Sequence, residues 1–202
     1  MRMDRRSFVV AALAGLGASA IPFSSAIAAS SKAALRPKLM EKAMAAFAKH
    51  RANIAHADII AIADFGMASA KTRFHLVDLV SGQTSSMLVA HGKGSDPEHT
   101  GWLQSFSNLP GSNASSQGSY LTDQFYVGKH GRSRRLLGLD PQNNMALDRA
   151  IVIHAAEYVS DNMVKSYNKI GRSQGCFAVS ETDITQVLDR LGPGRLLFAD
   201  KG

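Results

Sequence analysis

Of 202 residues only one, Cys176, is a cysteine, set in the stretch Gly171-Arg172-Ser173-Gln174-Gly175-Cys176-Phe177. A lone thiol cannot close an internal disulfide, and only one side of this one is apolar. Its candidate chemistry is nucleophilic attack. The thiolate attacks and the thiol does not, so such a cysteine needs a base beside it. The candidate base is His154, at the end of the apolar run Ala150-Ile151-Val152-Ile153-His154. A polar stretch separates the two, which lets neighbouring elements bring them together. The imidazole would act as a base or as the partner of an ion pair. Gly175 permits a tight turn, and successive backbone N–H groups in that turn could hold the oxyanion of a tetrahedral intermediate.

Other residues are candidates for binding. Arg172, Ser173 and Gln174 lead into the cysteine, and Arg172 offers a cation for a substrate carboxylate. His91, in Ala90-His91-Gly92-Lys93-Gly94, ends another strand pattern and is placed at the groove, as a substrate contact or a rival base. Ser116 and Tyr120 are read as shaping a substrate loop. Trp102, the single tryptophan, is read as a loop anchor. His50, His56, His75, His99 and His130 have no motif around them. No metal-ligand spacing occurs, and the carboxylates are too scattered for a paired acid/base site, so no metal or cofactor is expected.

The elements that must position these residues read as a mostly β (α+β) domain. Leu39, Ala43, Ala46, Phe47 and Ile54 recur at helical spacing after Pro37, which makes 29–57 an N-terminal helical segment. Short β-rich runs follow at 58–66, 72–80 and 84–92, with a hairpin turn at Ser81-Gly82. Residues 92–118 are dense in Gly, Ser, Pro and Asn, and a loop of that length inside a compact domain is usually functional. Strand patterns resume at 119–128, 133–140 and 149–156; residues 157–172 read as a polar loop. A helix after Cys176 is opened by Ser180 and Asp183, with Ile184, Val187, Leu188 and Leu191 as its stripe, and 195–200 is a last strand.

The chain's start carries its own signal. Arg2, Arg5 and Arg6 precede an apolar run from Phe8 to Phe23 and the small residues Ala26-Ile27-Ala28. That pattern reads as a twin-arginine export signal over 1–28, cleaved near Ala28, and its apolar run is short of the ~20 residues that span a bilayer. The expected location is therefore the periplasm or cell wall, without stable membrane insertion. Beyond residue 28 the chain keeps a net charge of +5, from 20 basic and 15 acidic side chains. There is no dense basic run, so nucleic acid is excluded as a partner, while an anionic polymer such as a cell wall suits a positive field.

"IVIHAAEYV" followed by "GRSQGCFAV" resembles the L,D-transpeptidase catalytic domain family, with its YkuD-type β-sandwich or barrel. The family pattern is a histidine at a strand end, a loop, then [ST]-x-G-C and an apolar residue. "LVAHGKGS", "YVGKHGRS" and "LLGLD" extend the likeness, which covers 58–202 as the catalytic domain. The resemblance implies acyl transfer on peptidoglycan stem peptides: Cys176 as nucleophile, His154 as base, the Ala155 carbonyl orienting the ring, and 3–3 cross-links as product. Gln174 stands where many members have a second histidine, and Ala178 where an Arg or Asn is common. Two other outcomes stay open: an L,D-carboxypeptidase with water as acceptor, and a non-catalytic wall-binding module. The sequence gives no oligomeric state.

Overall fold

The computed structural model describes residues 34–202; the stretch read as an export signal lies outside them. The elements in chain order are α1 (Pro37–Lys49), β1 (Ile59–Asp64), β2 (Phe74–Asp78), β3 (Thr84–Met87), β4 (Gly118–Gly128), β5 (Gly131–Gly138), β6 (Val152–Ala155), α2 (Asp161–Tyr167), β7 (Phe177–Val179), α3 (Ile184–Arg190) and β8 (Leu196–Asp200). The strands form one sheet in the order β3-β2-β1-β8-β4-β5-β6-β7. Two pairings are parallel, β1 with β8 and β6 with β7; the rest are antiparallel.

The two ends of the sheet meet. Ala90, just past β3, bridges Ala178 of β7, with Ala90 N–H donating to the Ala178 carbonyl at 2.8 Å. Gly92 bridges Ser173 one step further on. The mostly β, barrel-like architecture expected from the sequence is thus present, with the cysteine segment at its seam.

Strand alternation divides the core. On β1, Ala61 and Ala63 face a cluster with Phe65, Tyr120 and Phe177, whereas Ile60 and Ile62 pack with Leu39 and Ala43 of α1. On β8, Leu197 and Ala199 join the first cluster, and Leu196 and Phe198 the second. Helix α1 therefore covers the outer face of the sheet. Pro37 opens it, where a missing N–H is harmless. Polar contacts tie it down along its length: Arg36 to Asp64, Lys42 to Asp200 at 3.1 Å, and His50 Nε2 to Asp140 at 2.9 Å.

Two readings needed correction. The stretch 157–172 holds α2, whose first turn is capped by Ser160 Oγ accepting from the Met163 N–H at 3.3 Å. No residue of α2 is fully buried, so it has no strong apolar stripe to betray it. And a strand, β7, intervenes between Cys176 and the following helix; Ser180 accepts from the Asp183 N–H at 3.1 Å, but α3 itself starts only at Ile184.

Candidate active site

Strands β6 and β7 run side by side, with Ile153 paired to Phe177 and His154 to Ala178. Ile153 and Phe177 point into the core. Side chains alternate, so His154 and Cys176 project to the opposite face, as diagonal neighbours two residues apart in register. Both line one open cavity of about 620 Å3, together with Tyr126, Lys129, His130, Arg149 and Ala150.

The turn before the cysteine is built around Ser173. Its hydroxyl donates to the Cys176 carbonyl at 2.7 Å and accepts from the Gly175 N–H at 3.1 Å. Gly175 has φ 113°, and a Cβ there would lie 2.7 Å from the Ala114 carbonyl oxygen. Glycine is required twice over, by its backbone and by the loop packed on it. The oxyanion reading of the Gly175 amide is corrected by this geometry: that N–H is already taken by Ser173.

The Cys176 thiol donates to the Ala150 carbonyl at 3.5 Å. Burial pushes its pKa up; the Val152 amide and the charges of Lys129 and Arg149 pull it back only in part. His154 is 2% exposed and is pushed the other way, below the usual imidazole value, by burial and then by His130 and Lys129. Its Nδ1 lies 2.7 Å from the Ala155 carbonyl, which can only accept, so the ring proton sits on Nδ1 and Nε2 keeps its lone pair. These directions favour a neutral thiol beside a neutral imidazole over a preformed ion pair.

His91 is corrected more fully. It is 1% exposed and does not reach the cavity. Its Nδ1 is 2.7 Å from an Arg73 guanidinium nitrogen, which can only donate, and its Nε2 is 3.3 Å from Asp96 Oδ2. Burial pushes its pKa down to about 3. Arg73, wholly buried, also donates to the Val89 and Met67 carbonyls. The network reaches the site only indirectly: the backbone at Asp96 and Pro97 accepts from Arg172, which lines the cavity.

Ser116 and Tyr120 are corrected in the same way. Both are fully buried, and the Tyr120 hydroxyl donates to the Ser116 carbonyl at 2.8 Å. They brace the 92–118 loop rather than face a ligand. Trp102 is half exposed and the loop is anchored by its buried neighbour Leu103. Arg172, Ser173 and Gln174 do line the cavity.

Sequence reasoning missed three residues. Arg149 donates to the Ser107 carbonyl at 2.8 Å and the Ser116 hydroxyl at 2.6 Å, and also to the Ala114 carbonyl, tying the long loop to the start of β6. Lys129 and His130 form the tip of the β4–β5 hairpin, and the His130 ring stacks on His154 with centroids 4.3 Å apart. The signal available was the Gly128-Lys129-His130-Gly131 turn between two long strand patterns. Among the described residues, no group of three or more His, Cys, Asp or Glu side chains could hold a metal ion. No helix among them is long and apolar enough to cross a membrane.

The model of the L,D-transpeptidase catalytic domain family matches residues 31–199. The chain belongs to this family. Among solved structures, an L,D-transpeptidase from Mycobacterium smegmatis is 12% identical with a TM-score of 0.43, covering 71% of this chain and 58% of that one. One from Mycobacterium tuberculosis H37Rv is 12% identical with a TM-score of 0.44, covering 71% and 57%. The helical cell shape determining protein Pgp2 from Campylobacter jejuni is 10% identical with a TM-score of 0.41, covering 71% and 47%. This L,D-transpeptidase-type chain thus spans less than two thirds of the length of those structures. No curated protein matches it.

Proposed function

We propose that this chain is an exported L,D-transpeptidase acting on peptidoglycan stem peptides in the periplasm or cell wall, with Cys176 as nucleophile and His154 as base. The observation that carries the reading is one face of two parallel strands: a thiol and an imidazole with a free Nε2, lining a single open cavity. Family membership supports the substrate class.

In this mechanism His154 Nε2 takes the thiol proton as Sγ attacks the carbonyl on the L-centre side of the third-residue diamino acid. The proton passes to the nitrogen of the terminal D-alanine, which leaves, and a thioester remains. An amine of a second stem attacks the thioester and gives its proton to His154. A 3–3 amide forms and the thiol is restored. General base catalysis of this kind contributes about 10²- to 10⁴-fold. With the Gly175 amide engaged by Ser173, the Cys176 amide is the oxyanion donor assigned within the turn. Neither Gln174 nor Ala178 removes the thiol, the imidazole or the turn.

Incubating the protein from Ala29 onward with tetrapeptide muropeptides and reading product masses tests this. Cross-linked dimers, absent with Cys176→Ala, are expected. Tripeptide without dimer would assign the L,D-carboxypeptidase reading. No turnover and no acylation of Cys176 by a carbapenem would leave a wall-binding module.

A further inference from the structure

The cavity beside Cys176 is lined by more cationic than anionic side chains. Lys129, Arg149 and Arg172 line it, with Asp148 as the one carboxylate. Two of the three cations are engaged. Arg149 is bonded to Ser107, Ser116 and Ala114, and Arg172 to the carbonyls of Asp96 and Pro97. Lys129 makes no hydrogen bond and no salt bridge among the described residues, although it is near enough to act electrostatically on both Cys176 and His154. An ammonium group next to a reactive centre with no counter-charge is complementary to an anion that arrives with the ligand.

The position of Lys129 is fixed by its neighbour. The hairpin tip is the pair Lys129-His130 between Gly128 and Gly131, with Gly131 at φ 71° closing the turn. The stack of His130 on His154, tilted by 22°, pins that tip over the site. Held in this way, the turn presents the Lys129 stem at the cavity mouth, and only the side chain's own rotamers are left to order when a ligand binds.

We infer that Lys129 is a specificity-determining residue that reads a carboxylate on the acyl donor, selecting peptides with a free carboxylate close to the bond that Cys176 attacks. The inference deepens the proposed function and rests on it for the identity of the donor. On a stem tetrapeptide that carboxylate belongs either to the terminal residue or to the side chain of the third residue.

The first test does not need turnover. In alkylation, Sγ displaces iodide from iodoacetate, which is anionic, or from iodoacetamide, which is neutral. Removing Lys129 alters the thiolate population equally for both reagents, so the ratio of the two rates isolates carboxylate attraction. Lys129→Met is expected to lower the iodoacetate-to-iodoacetamide ratio about two- to fivefold, the range of an exposed ion pair, and Lys129→Arg to keep it. Lys129 is exposed on a turn, so neither substitution threatens the fold. An unchanged ratio in Lys129→Met overturns the inference whether or not the protein is an L,D-transpeptidase. The second test uses tetrapeptides amidated at one carboxylate or the other. Wild type should show a raised KM for one of them, which names the carboxylate, and Lys129→Met should lose that discrimination. If Lys129→Met discriminates as wild type does, the inference is wrong. If no peptide turns over while the alkylation ratio falls, the donor assignment fails and the carboxylate site stands.

Discussion

Two histidines of this molecule look alike by every simple measure. His91 and His154 each follow an apolar run, Leu88-Val89-Ala90 and Ile151-Val152-Ile153, each is at most 2% exposed, and burial lowers the pKa of each. They differ in what their nitrogens meet. His91 has Arg73 on one side and Asp96 on the other. His154 has a carbonyl on Nδ1 only, and its Nε2 remains a lone pair in a cavity that also holds a thiol. A perturbed pKa is therefore no guide to function here. An unsatisfied nitrogen counts only where it opens on the cavity that holds the thiol: among the described residues His75 Nε2 is unpartnered too, but it is buried away from that cavity.

The sharpest way to break that comparison is to remove the open ring and the buried partner of the sealed one. His154→Gln should cut kcat/KM by about 10²- to 10⁴-fold, while loss of its buried Nδ1 hydrogen bond and ring stack should cost about 1–3 kcal/mol of stability. A variant retaining wild-type rates would remove His154 from the mechanism. On the other side, Arg73→Met should leave His91 Nδ1 and the Val89 and Met67 carbonyls without their donor. Losing one partner of a buried charged network costs about 3–5 kcal/mol, so this variant should be strongly destabilised in urea. A loss under about 1 kcal/mol would mean that the network is not holding the 93–101 loop.

The asymmetry between the histidines explains what the sequence could show. The candidate thiol and base follow from residue type and local order: Cys176 after glycine, His154 at a strand end; the Ala155 carbonyl comes only with the family resemblance, and the structure places it 2.7 Å from His154 Nδ1. Helix α1 was legible because Leu39 and Ala43 repeat at helical spacing under a proline start. His91 was misplaced because its pattern, a histidine closing a strand, is the same as that of His154; the difference lies in Arg73 and Asp96, which approach from other elements. Lys129 and His130 were missed for the converse reason. They reach the site because β4 and β5 form a long hairpin whose tip overhangs β6, a consequence of strand length and sheet order that no local spacing reports. Arg149 was hidden likewise, since its partners all come from the long loop.

Titration sharpens the comparison at a smaller scale. In the folded state His91 is held to about 3, and free in the unfolded chain it titrates near the ordinary value of 6.5. As pH falls below about 6.5 the unfolded chain gains the proton first, so stability is present above that pH and declines towards pH 3. This one group contributes a slope of about 1.4 kcal/mol per pH unit across the window. The slope should flatten in His91→Gln, as followed by urea unfolding at several pH values; an unchanged slope would mean that His91 is not held neutral. His154 should show its own shift in catalysis. The acid limb of kcat/KM should lie below 6.5, and His130→Leu should move it upward, because a neighbouring ring that lowers the His154 pKa is gone. The alkaline limb should lie above that of an ordinary free thiol, since burial outweighs the amide and the two cations around Cys176. An acid limb above 6.5 would contradict the neutral thiol and imidazole pair.

The smallest effect concerns backbone rather than side chain. Ala150, whose carbonyl accepts the Cys176 thiol, sits at φ 52°, a left-handed conformation that costs a non-glycine residue about 1–2 kcal/mol. The strain is enforced from both sides: the Ala150 N–H donates to Leu147 and the next amide, Ile151, donates to Ala146 at 2.8 Å. Strand β6 begins at Val152, so relaxing Ala150 would withdraw the carbonyl from the thiol and shift the start of the strand. Glycine at this position removes the clash but enlarges the conformational freedom of the unfolded chain, which offsets part of the gain. Ala150→Gly should therefore raise stability by no more than about 1 kcal/mol, roughly 2–4 °C in melting temperature for a domain of this size. The pH at which iodoacetamide reaches half its limiting rate with Cys176 should not move, because the carbonyl keeps its place. A drop in melting temperature would show that Ala150 is not strained. A displaced alkylation curve would show that the alanine methyl, and not the carbonyl alone, sets the environment of the sulfur, and the contrast between a sealed histidine and an open one would then have to include the backbone that faces the open one.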